Sequence, residues 1–245
     1  MSEQSNTTRR SVLRKAAATS VVGGFAAGGF AGSAAANKGT TITVTGQGND
    51  GGYGTEYSIK VDDKYGKMGD DADADQDYAY QDTDAENGWG HSHSEDCWGN
   101  TIFQGKIYEG NTDTFHYDGS ILEIDVWGGD ASFEIDNDRY SGRRDQKGEV
   151  MMWANGNTTH DTWDYEFCMT GSVSGKCYLE DEDSTTDQCA DGSAVDRNDY
   201  YRAYGELTYL GFSNVNGRVR LTHQYENEPR CWRRDDSGDN WKYRC

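Results

Sequence analysis

The sequence predicts an all-β protein, an antiparallel β-sandwich made of two β-rich halves that disulfides tie together. Three observations favour this class: short runs in which apolar and polar residues alternate, frequent glycine and aspartate between these runs, and six cysteines. Alternation with a period of two is typical of a strand that has one buried side and one solvent-facing side. The 31 glycines and the single proline suit many short strands that are joined by turns.

The clearest alternation lies between residues 100 and 140. Leu122, Ile124 and Val126 share one face of a predicted strand. Glu123, Asp125 and Trp127 share the other face. Glycine and aspartate separate this run from its neighbours, as in tight turns. We therefore predict an antiparallel meander over this region.

Two turn signals predict hairpins. Asp118-Gly119 lies between two apolar runs, which is a strong short-range hairpin signal. A polar glycine loop separates the alternating runs 40–46 and 56–62, which we expect to form a second hairpin in the same pair of sheets.

The chain from residue 141 onward has its own set of short alternating runs. The best candidate for a short helix is 194–204. The predicted strands of this half are 149–153, 162–169, 172–179, 205–212, 217–225 and 240–244.

The first residues have the pattern of an export signal. Arg9 and Arg10 precede a weakly apolar run rich in Ala and Gly, and residues 34–36 (AAA) form a small-residue cleavage site. The twin arginines resemble the twin-arginine export signal. We predict that residues 1–36 are this signal and that the mature chain is secreted. We expect no membrane insertion, since no later stretch reaches about 18 apolar residues.

The charge is strongly negative. The chain has 23 basic and 43 acidic residues, a formal net charge of −20, and without residues 1–36 the net charge is −23. Such a field repels nucleic acid and anionic lipid, so we predict no nucleic-acid partner. An acidic surface is typical of salt adaptation, because molar salt shortens the Debye length to about 3 Å and screens the repulsion. A cation-binding surface is the alternative.

Residues 64–99 interrupt the β pattern with many aspartates and almost no aliphatic residues. Asp71, Asp73 and Asp75 have the spacing of an EF-hand start, but Gln76 stands where that loop has glycine. The insert therefore predicts either looser binding of Ca²⁺ or another divalent cation, or a solvated acidic loop.

A second candidate metal site contains histidine. His91 and His93 alternate and would face the same side of a strand, as suits Zn²⁺ or Cu²⁺, and His116 is a candidate further ligand. Cys97 follows them, and the alternative is that it forms a disulfide in an exported chain.

Several runs of the first half together resemble a β-rich module of secreted haloarchaeal proteins. That module has the pattern ITVTG…YxFxV…TDxYxFSG…GxAxVxVDG, and the matching residues here are 42–46, 57–61, 112–117, 121–124 and 130–136. The resemblance covers residues 40–140. It implies a β fold and an archaeal, halophilic source, and it implies no catalytic residue.

These patterns define three parts: a signal peptide (1–36), a β-sandwich module (37–140) with the acidic insert 64–99, and a Cys-rich β domain (141–245). An even number of cysteines in an exported chain predicts disulfides. If all six are paired, one bond crosses between the two halves, because five of the six lie in the second. The six are Cys97, Cys168, Cys177, Cys189, Cys231 and Cys245.

No familiar catalytic motif occurs, which favours a non-catalytic role. Most of the seven tryptophans are expected to replace missing aliphatic residues in the core. Trp127 and Trp98 are the candidate binding residues, and Glu123 and Asp125 lie beside Trp127 on its strand. We predict an extracellular protein that binds polysaccharide or a cell-surface glycoprotein. The alternatives are a secreted antimicrobial (halocin-like) protein and a polysaccharide-acting enzyme.

Overall fold

Two antiparallel sheets, packed face to face, confirm the predicted β-sandwich. The computed structural model describes residues 40–48, 51–62, 67–69, 78–81, 100–136, 146–154, 163–177, 179, 181, 183–194 and 198–225. Within them, sixteen strands form two sheets of eight strands each, and a shared apolar core lies between the sheets.

The strands take the following bounds in chain order: β1 (Thr40–Gly48), β2 (Thr55–Val61), β3 (Lys67–Met68), β4 (Tyr78–Gln81), β5 (Thr101–Ile107), β6 (Thr112–Tyr117), β7 (Ile121–Trp127), β8 (Asp130–Asp136), β9 (Lys147–Ala154), β10 (Trp163–Met169), β11 (Val173–Cys177), β12 (Ser184–Thr185), β13 (Cys189–Ala194), β14 (Asp199–Tyr204), β15 (Leu207–Ser213) and β16 (Arg218–Tyr225).

Strands from both halves of the chain contribute to each sheet. Sheet A has the order β12-β13-β10-β15-β8-β1-β6-β3, and sheet B has the order β11-β14-β9-β16-β7-β2-β5-β4. The halves meet where β15 pairs with β8 and where β16 pairs with β7. By its contacts, the chain from Gly39 onward is one compact unit. The predicted boundary at residue 140 lies outside the described residues and stays a prediction.

Both predicted hairpins, and the meander, are wrong. β6 lies in sheet A and β7 in sheet B, and β1 and β2 are likewise in opposite sheets. The turn at Asp118-Gly119 therefore crosses from one sheet to the other. Gly119 has a φ of 140°, and a Cβ there would lie 1.9 Å from the carbonyl oxygen of Asp62. Alternation shows that one face of a strand is buried, but not which strand pairs with it.

The predicted short helix is also wrong. Residues 199–204 form β14, which pairs with β9 and β11. Asp199, Tyr201 and Ala203 point into the core, while Tyr200 and Arg202 are more exposed, so the period is that of a strand. Among the described residues, no helix has the length and apolarity needed to cross a membrane.

Aromatic rings, mainly of Phe and Tyr, fill much of the core. Most tryptophans were expected there, but of the three among the described residues only Trp163 is buried, and Trp127 and Trp153 are half-buried. Phe103 and Phe115 are stacked with their ring centroids 4.7 Å apart. The ring of Tyr57 meets the rings of Phe115 and Phe133 edge to face, at 6.1 and 6.3 Å. Trp163 is buried against Phe212. Rings of this size supply the buried area that a chain poor in aliphatic residues lacks.

Two buried tyrosines donate hydrogen bonds to buried aspartates. Tyr57 Oη lies 2.7 Å from Asp113 Oδ2, and Tyr165 Oη lies 2.8 Å from Asp199 Oδ2. Tyr165 Oη is also 2.6 Å from Tyr201 Oη. Burial, together with the charges of nearby groups, raises the pKa of Tyr165 far above its ordinary value. Burial also raises the pKa of Tyr201.

We expect the protein to lose stability in alkali. Because the folded pKa values of Tyr165 and Tyr201 are raised, their contribution is fully present below about pH 10. It is lost as the pH rises above that value, since the unfolded chain ionises first. Melting temperatures measured across this range should fall steeply, and the fall should be shallower in Tyr165→Phe. An unchanged slope in that variant would contradict the assignment.

The structure contains a disulfide between neighbouring strands. Cys168 in β10 is bonded to Cys189 in β13, and the two residues are direct cross-strand partners. Cys177 is also disulfide-bonded, and its partner lies outside the described residues. None of these three cysteines is free. Cys97, Cys231 and Cys245 lie outside the described residues, so a bond between the halves stays a prediction.

Candidate functional site

Four strands of sheet B place a row of polar and aromatic side chains on its outer face. Glu56 of β2 is the direct partner of Lys106 in β5 and of Trp127 in β7. Trp127 in turn is the partner of Arg218 in β16. We call these four residues, together with the neighbouring Tyr108, the aromatic strip.

Polar neighbours hold the indole ring of Trp127 in place. Trp127 Nε1 donates a hydrogen bond to Glu56 Oε2. Lys106 Nζ lies 3.9 Å from Glu56 Oε1, and Arg218 Cζ lies 5.7 Å from the centroid of the indole ring. The ring therefore has a hydrogen-bond partner on one side and a cation on the other, while it stays half-buried.

A glycine makes room for the tyrosine end of the strip. A Cβ at Gly54 would lie 2.8 Å from Lys106 Cε and 3.1 Å from Tyr108 Cε1, so both side chains would have to shift to admit a larger residue. Gly54 also has a φ of 79°, which favours glycine. Tyr108 is 38% exposed, one of two large hydrophobic residues that stand out among the described residues. The other is Tyr53, next to Gly54 in sequence.

An ion-pair cluster lies beside the strip on the same face. It consists of Glu123, Asp125, Arg218 and Arg220. Asp125 accepts two hydrogen bonds from Arg218, at 3.3 and 2.8 Å, and one from Arg220 Nε, at 2.7 Å. Arg220 Nε is 3.8 Å from Glu123 Oε1, and its guanidinium lies 5.2 Å from the ring of Trp153.

The cluster keeps Asp125 charged although it is buried. Its side chain is 1% exposed and that of Arg220 is 3% exposed. Burial alone raises the pKa of Asp125, but the charge of Arg220 and the hydrogen bonds and charge of Arg218 outweigh burial, so the pKa lies below its usual value. The cluster also fixes Arg218, whose guanidinium faces the indole ring. It thus positions one side of the strip.

The outer face of sheet A differs. Its half-buried aromatic residue is Tyr209, which pairs with Glu134 across the strands. Burial and the charges of Glu166 and Glu134 raise the pKa of Tyr209 to about 12. No basic side chain of the described residues pairs with it in the sheet.

Three of the four candidate binding residues lie together in the structure, as expected. Trp127, Glu123 and Asp125 share the outer face of β7, as their alternation predicts. The two carboxylates, however, are engaged by arginines and buried, so they are not open to a ligand. Trp98 lies outside the described residues. The carboxylate beside the indole ring is Glu56, from another strand.

Five residues of the site were not predicted from the sequence: Glu56, Lys106, Tyr108, Arg218 and Arg220. One signal was available for the arginines. Arg-x-Arg at residues 218–220 and Glu-x-Asp at 123–125 have the spacing of charged pairs across two neighbouring strands. Nothing in the sequence indicated that β7 and β16 are neighbours.

The predicted metal ligands are mostly outside the described residues. Asp71, Asp73, Asp75, His91 and His93 all lie there, so both metal sites stay predictions. His116 is exposed on β6, with Nδ1 3.1 Å from Thr41 Oγ1. In the described part of the chain, no three His, Cys, Asp or Glu side chains lie close enough to hold a metal ion.

Comparison with known proteins adds no relative. No family model, no curated protein and no solved structure matches this chain.

Proposed function

We propose that this chain is a secreted, salt-adapted, non-catalytic protein that binds glycan through the aromatic strip. The observation that carries the proposal is the geometry at Trp127, a half-buried indole ring held between Glu56 and Arg218 with the exposed ring of Tyr108 on the same face. Sugar rings stack their C–H faces on aromatic rings, and their hydroxyl groups hydrogen-bond to carboxylate and guanidinium groups.

The local charge supports a glycan ligand. Two basic residues and one acidic residue of the aromatic strip are accessible on this part of sheet B, in a chain whose formal net charge is −20. A neutral or acidic glycan therefore meets a locally basic surface here, whereas most of the protein repels anions. The accessible residues are Lys106, Arg218 and Glu56.

Export and salt adaptation are supported by sequence patterns. The twin arginines and the small-residue site within residues 1–36 support secretion. The excess of acidic residues supports a working environment of high salt. Disulfide bonding, seen at Cys168 and Cys189, is consistent with an extracellular protein.

The test is a binding screen of the full chain against a glycan array, purified polysaccharides and cell-envelope fractions in molar salt. We expect at least one glycan to bind, and we expect Trp127→Ala to weaken binding by at least about tenfold, since central aromatic residues carry about 2 kcal/mol or more in interfaces. Tyr209→Ala is the matched control, because Tyr209 is a half-buried ring on the other sheet. We expect it to bind as the wild type does.

Absence of binding to every glycan and envelope fraction would contradict the proposal. Equal binding by Trp127→Ala and the wild type would place the ligand elsewhere. The same preparation tests the alternatives: killing of related strains would indicate an antimicrobial protein, and release of reducing ends would indicate an enzyme.

A further inference from the structure

The order of the strands repeats with an interval of eight. From the centre of sheet A, the first half runs β8-β1-β6-β3, and from the centre of sheet B the second half runs β16-β9-β14-β11. The other two quarters are β7-β2-β5-β4 in sheet B and β15-β10-β13-β12 in sheet A. Adding eight to each label of the first half gives the second half, with the two sheets exchanged.

The register repeats as well, most clearly where the halves meet. In the pairing of β7 with β16, Ile124 lies opposite Leu221. In the pairing of β15 with β8, Leu210 lies opposite Phe133. If Leu210 is equivalent to Ile124 and Leu221 to Phe133, these two junctions are the same junction seen from either half. A two-fold arrangement requires this reciprocity, in which each half presents the same edge to the other.

Irregular features occur at equivalent places. The pairing of β2 with β7 shifts register between Lys60 and Val61, and the pairing of β10 with β15 shifts between Cys168 and Met169. A regular sandwich does not require such a shift at any given position, so its recurrence is evidence independent of strand order.

Side chains in the core repeat too. Tyr57 of β2 donates to Asp113 of β6, and Tyr165 of β10 donates to Asp199 of β14, at 2.7 and 2.8 Å. Each pair joins the inner faces of opposite sheets. The same buried pair at the same two strands of each half is a chemical repeat, which packing alone does not demand.

We propose that the chain is a tandem duplication of one eight-stranded module, β1–β8 and β9–β16, and that the edge formed by β7 and β8 is the surface on which the second copy docks, through β16 and β15. In a single module these edges would be unpaired, and unpaired edges invite pairing with another chain. Fusion of two copies pairs these edges with each other. Within the described residues, the strands left at the ends of the sheets are the short strands β3, β4, β11 and β12.

The two copies have diverged at the aromatic strip. In the second copy, the register places Asp164, Ser193 and Ser213 where the first has Glu56, Lys106 and Trp127. The second copy thus lacks the indole ring and the amine. If the proposed glycan function is correct, one chain binds one ligand although it contains two modules.

The test uses the isotopically labelled full chain and does not depend on glycan binding. We expect cross-strand nuclear Overhauser effects between Ile124 and Leu221 and between Phe133 and Leu210, in the same register at both junctions. A missing junction, or a register that differs by one residue between the two, would overturn the proposal.

A pair of equivalent substitutions gives a second readout. Ile124→Ala and Leu210→Ala remove fully buried side chains at equivalent positions, one in each copy. We expect comparable shifts of the denaturation midpoint, in a single transition for both halves. An unchanged midpoint in one variant beside a large shift in the other would contradict the equivalence.

Discussion

Asp125→Asn is expected to lower the free energy of unfolding by about 3–5 kcal/mol, because it breaks a buried ion pair and leaves one partner charged. The partner is Arg220, whose side chain is 3% exposed and whose Nε now donates to Asp125 at 2.7 Å. Glu123, at 3.8 Å from the same nitrogen, is too distant to replace that hydrogen bond. Denaturant titration monitored by tryptophan fluorescence measures the loss.

Two further variants test whether the broken ion pair causes this loss of stability. Asp136→Asn removes an exposed carboxylate of β8 and should change the free energy of unfolding by less than about 0.5 kcal/mol. The double variant Asp125→Leu with Arg220→Met should recover most of the loss, since an apolar pair of similar size replaces both charges. A single variant as stable as the wild type would show that the cluster does not stabilise the fold.

The same carboxylate predicts the response to acid. The pKa of folded Asp125 lies below its ordinary value of 3.8, so its contribution is present above that value and is lost as the pH falls through the folded pKa. In Asp125→Asn, the free energy of unfolding should therefore fall less steeply with decreasing pH in the acid range than it does in the wild type.

Phe133→Ala is the second large effect, an expected loss of about 3–5 kcal/mol. Phe133 is fully buried, pairs with Val44 in β1 and Leu210 in β15, and meets the ring of Tyr57 edge to face. Removing the ring leaves a cavity where the two halves share sheet A. Thermal unfolding, followed by calorimetry and by circular dichroism, would measure the loss in the free energy of unfolding.

Phe133→Leu is the matched control, because it keeps much of the apolar volume, and we expect a clearly smaller loss. Both variants should unfold in one transition, since β8 pairs with strands of both halves. Two separated transitions, one for each half, would contradict a shared sandwich.

The sequence predicts the fold class well, because a strand with one buried face shows apolar and polar residues alternating along the chain. In the run 121–127, Ile124 and Val126 lie in the core and Trp127 lies on the outer face, as expected. Leu122 is half-buried and Ile121 takes a core position instead, because the register of β7 against β2 shifts there. Residues 40–46 and 56–62 are likewise found as β1 and β2, with small differences at the ends.

Strand partners could not be predicted, for a physical reason. Asp118-Gly119 has turn residues that suit a hairpin, yet the same residues suit a corner between sheets. The decision depends on other strands: β6 pairs with β1 and β3, and β7 pairs with β2 and β16, so both edges of each strand are taken. The failed helix at 194–204 has the same origin, since β9 and β11 flank β14.

The candidate site was predicted only at its centre. Trp127 could be singled out because an aromatic residue on the polar face of a strand is unusual. Glu56, Lys106 and Arg218 are 71, 21 and 91 positions away from it, and only the sheet order brings them together. The duplication was equally hidden, because the copies agree in register and in a few buried residues and differ in most others.

The most direct test of the glycan account follows the indole N–H signal of Trp127 by NMR while a glycan from the screen is added to the full chain. Trp127 Nε1 donates to Glu56 in the free protein, so a ligand on the aromatic strip must change the surroundings of this proton. The account predicts a saturable shift at Trp127 and Tyr108, with the buried Trp163 unaffected. Saturable binding that leaves the Trp127 signal unchanged would contradict it.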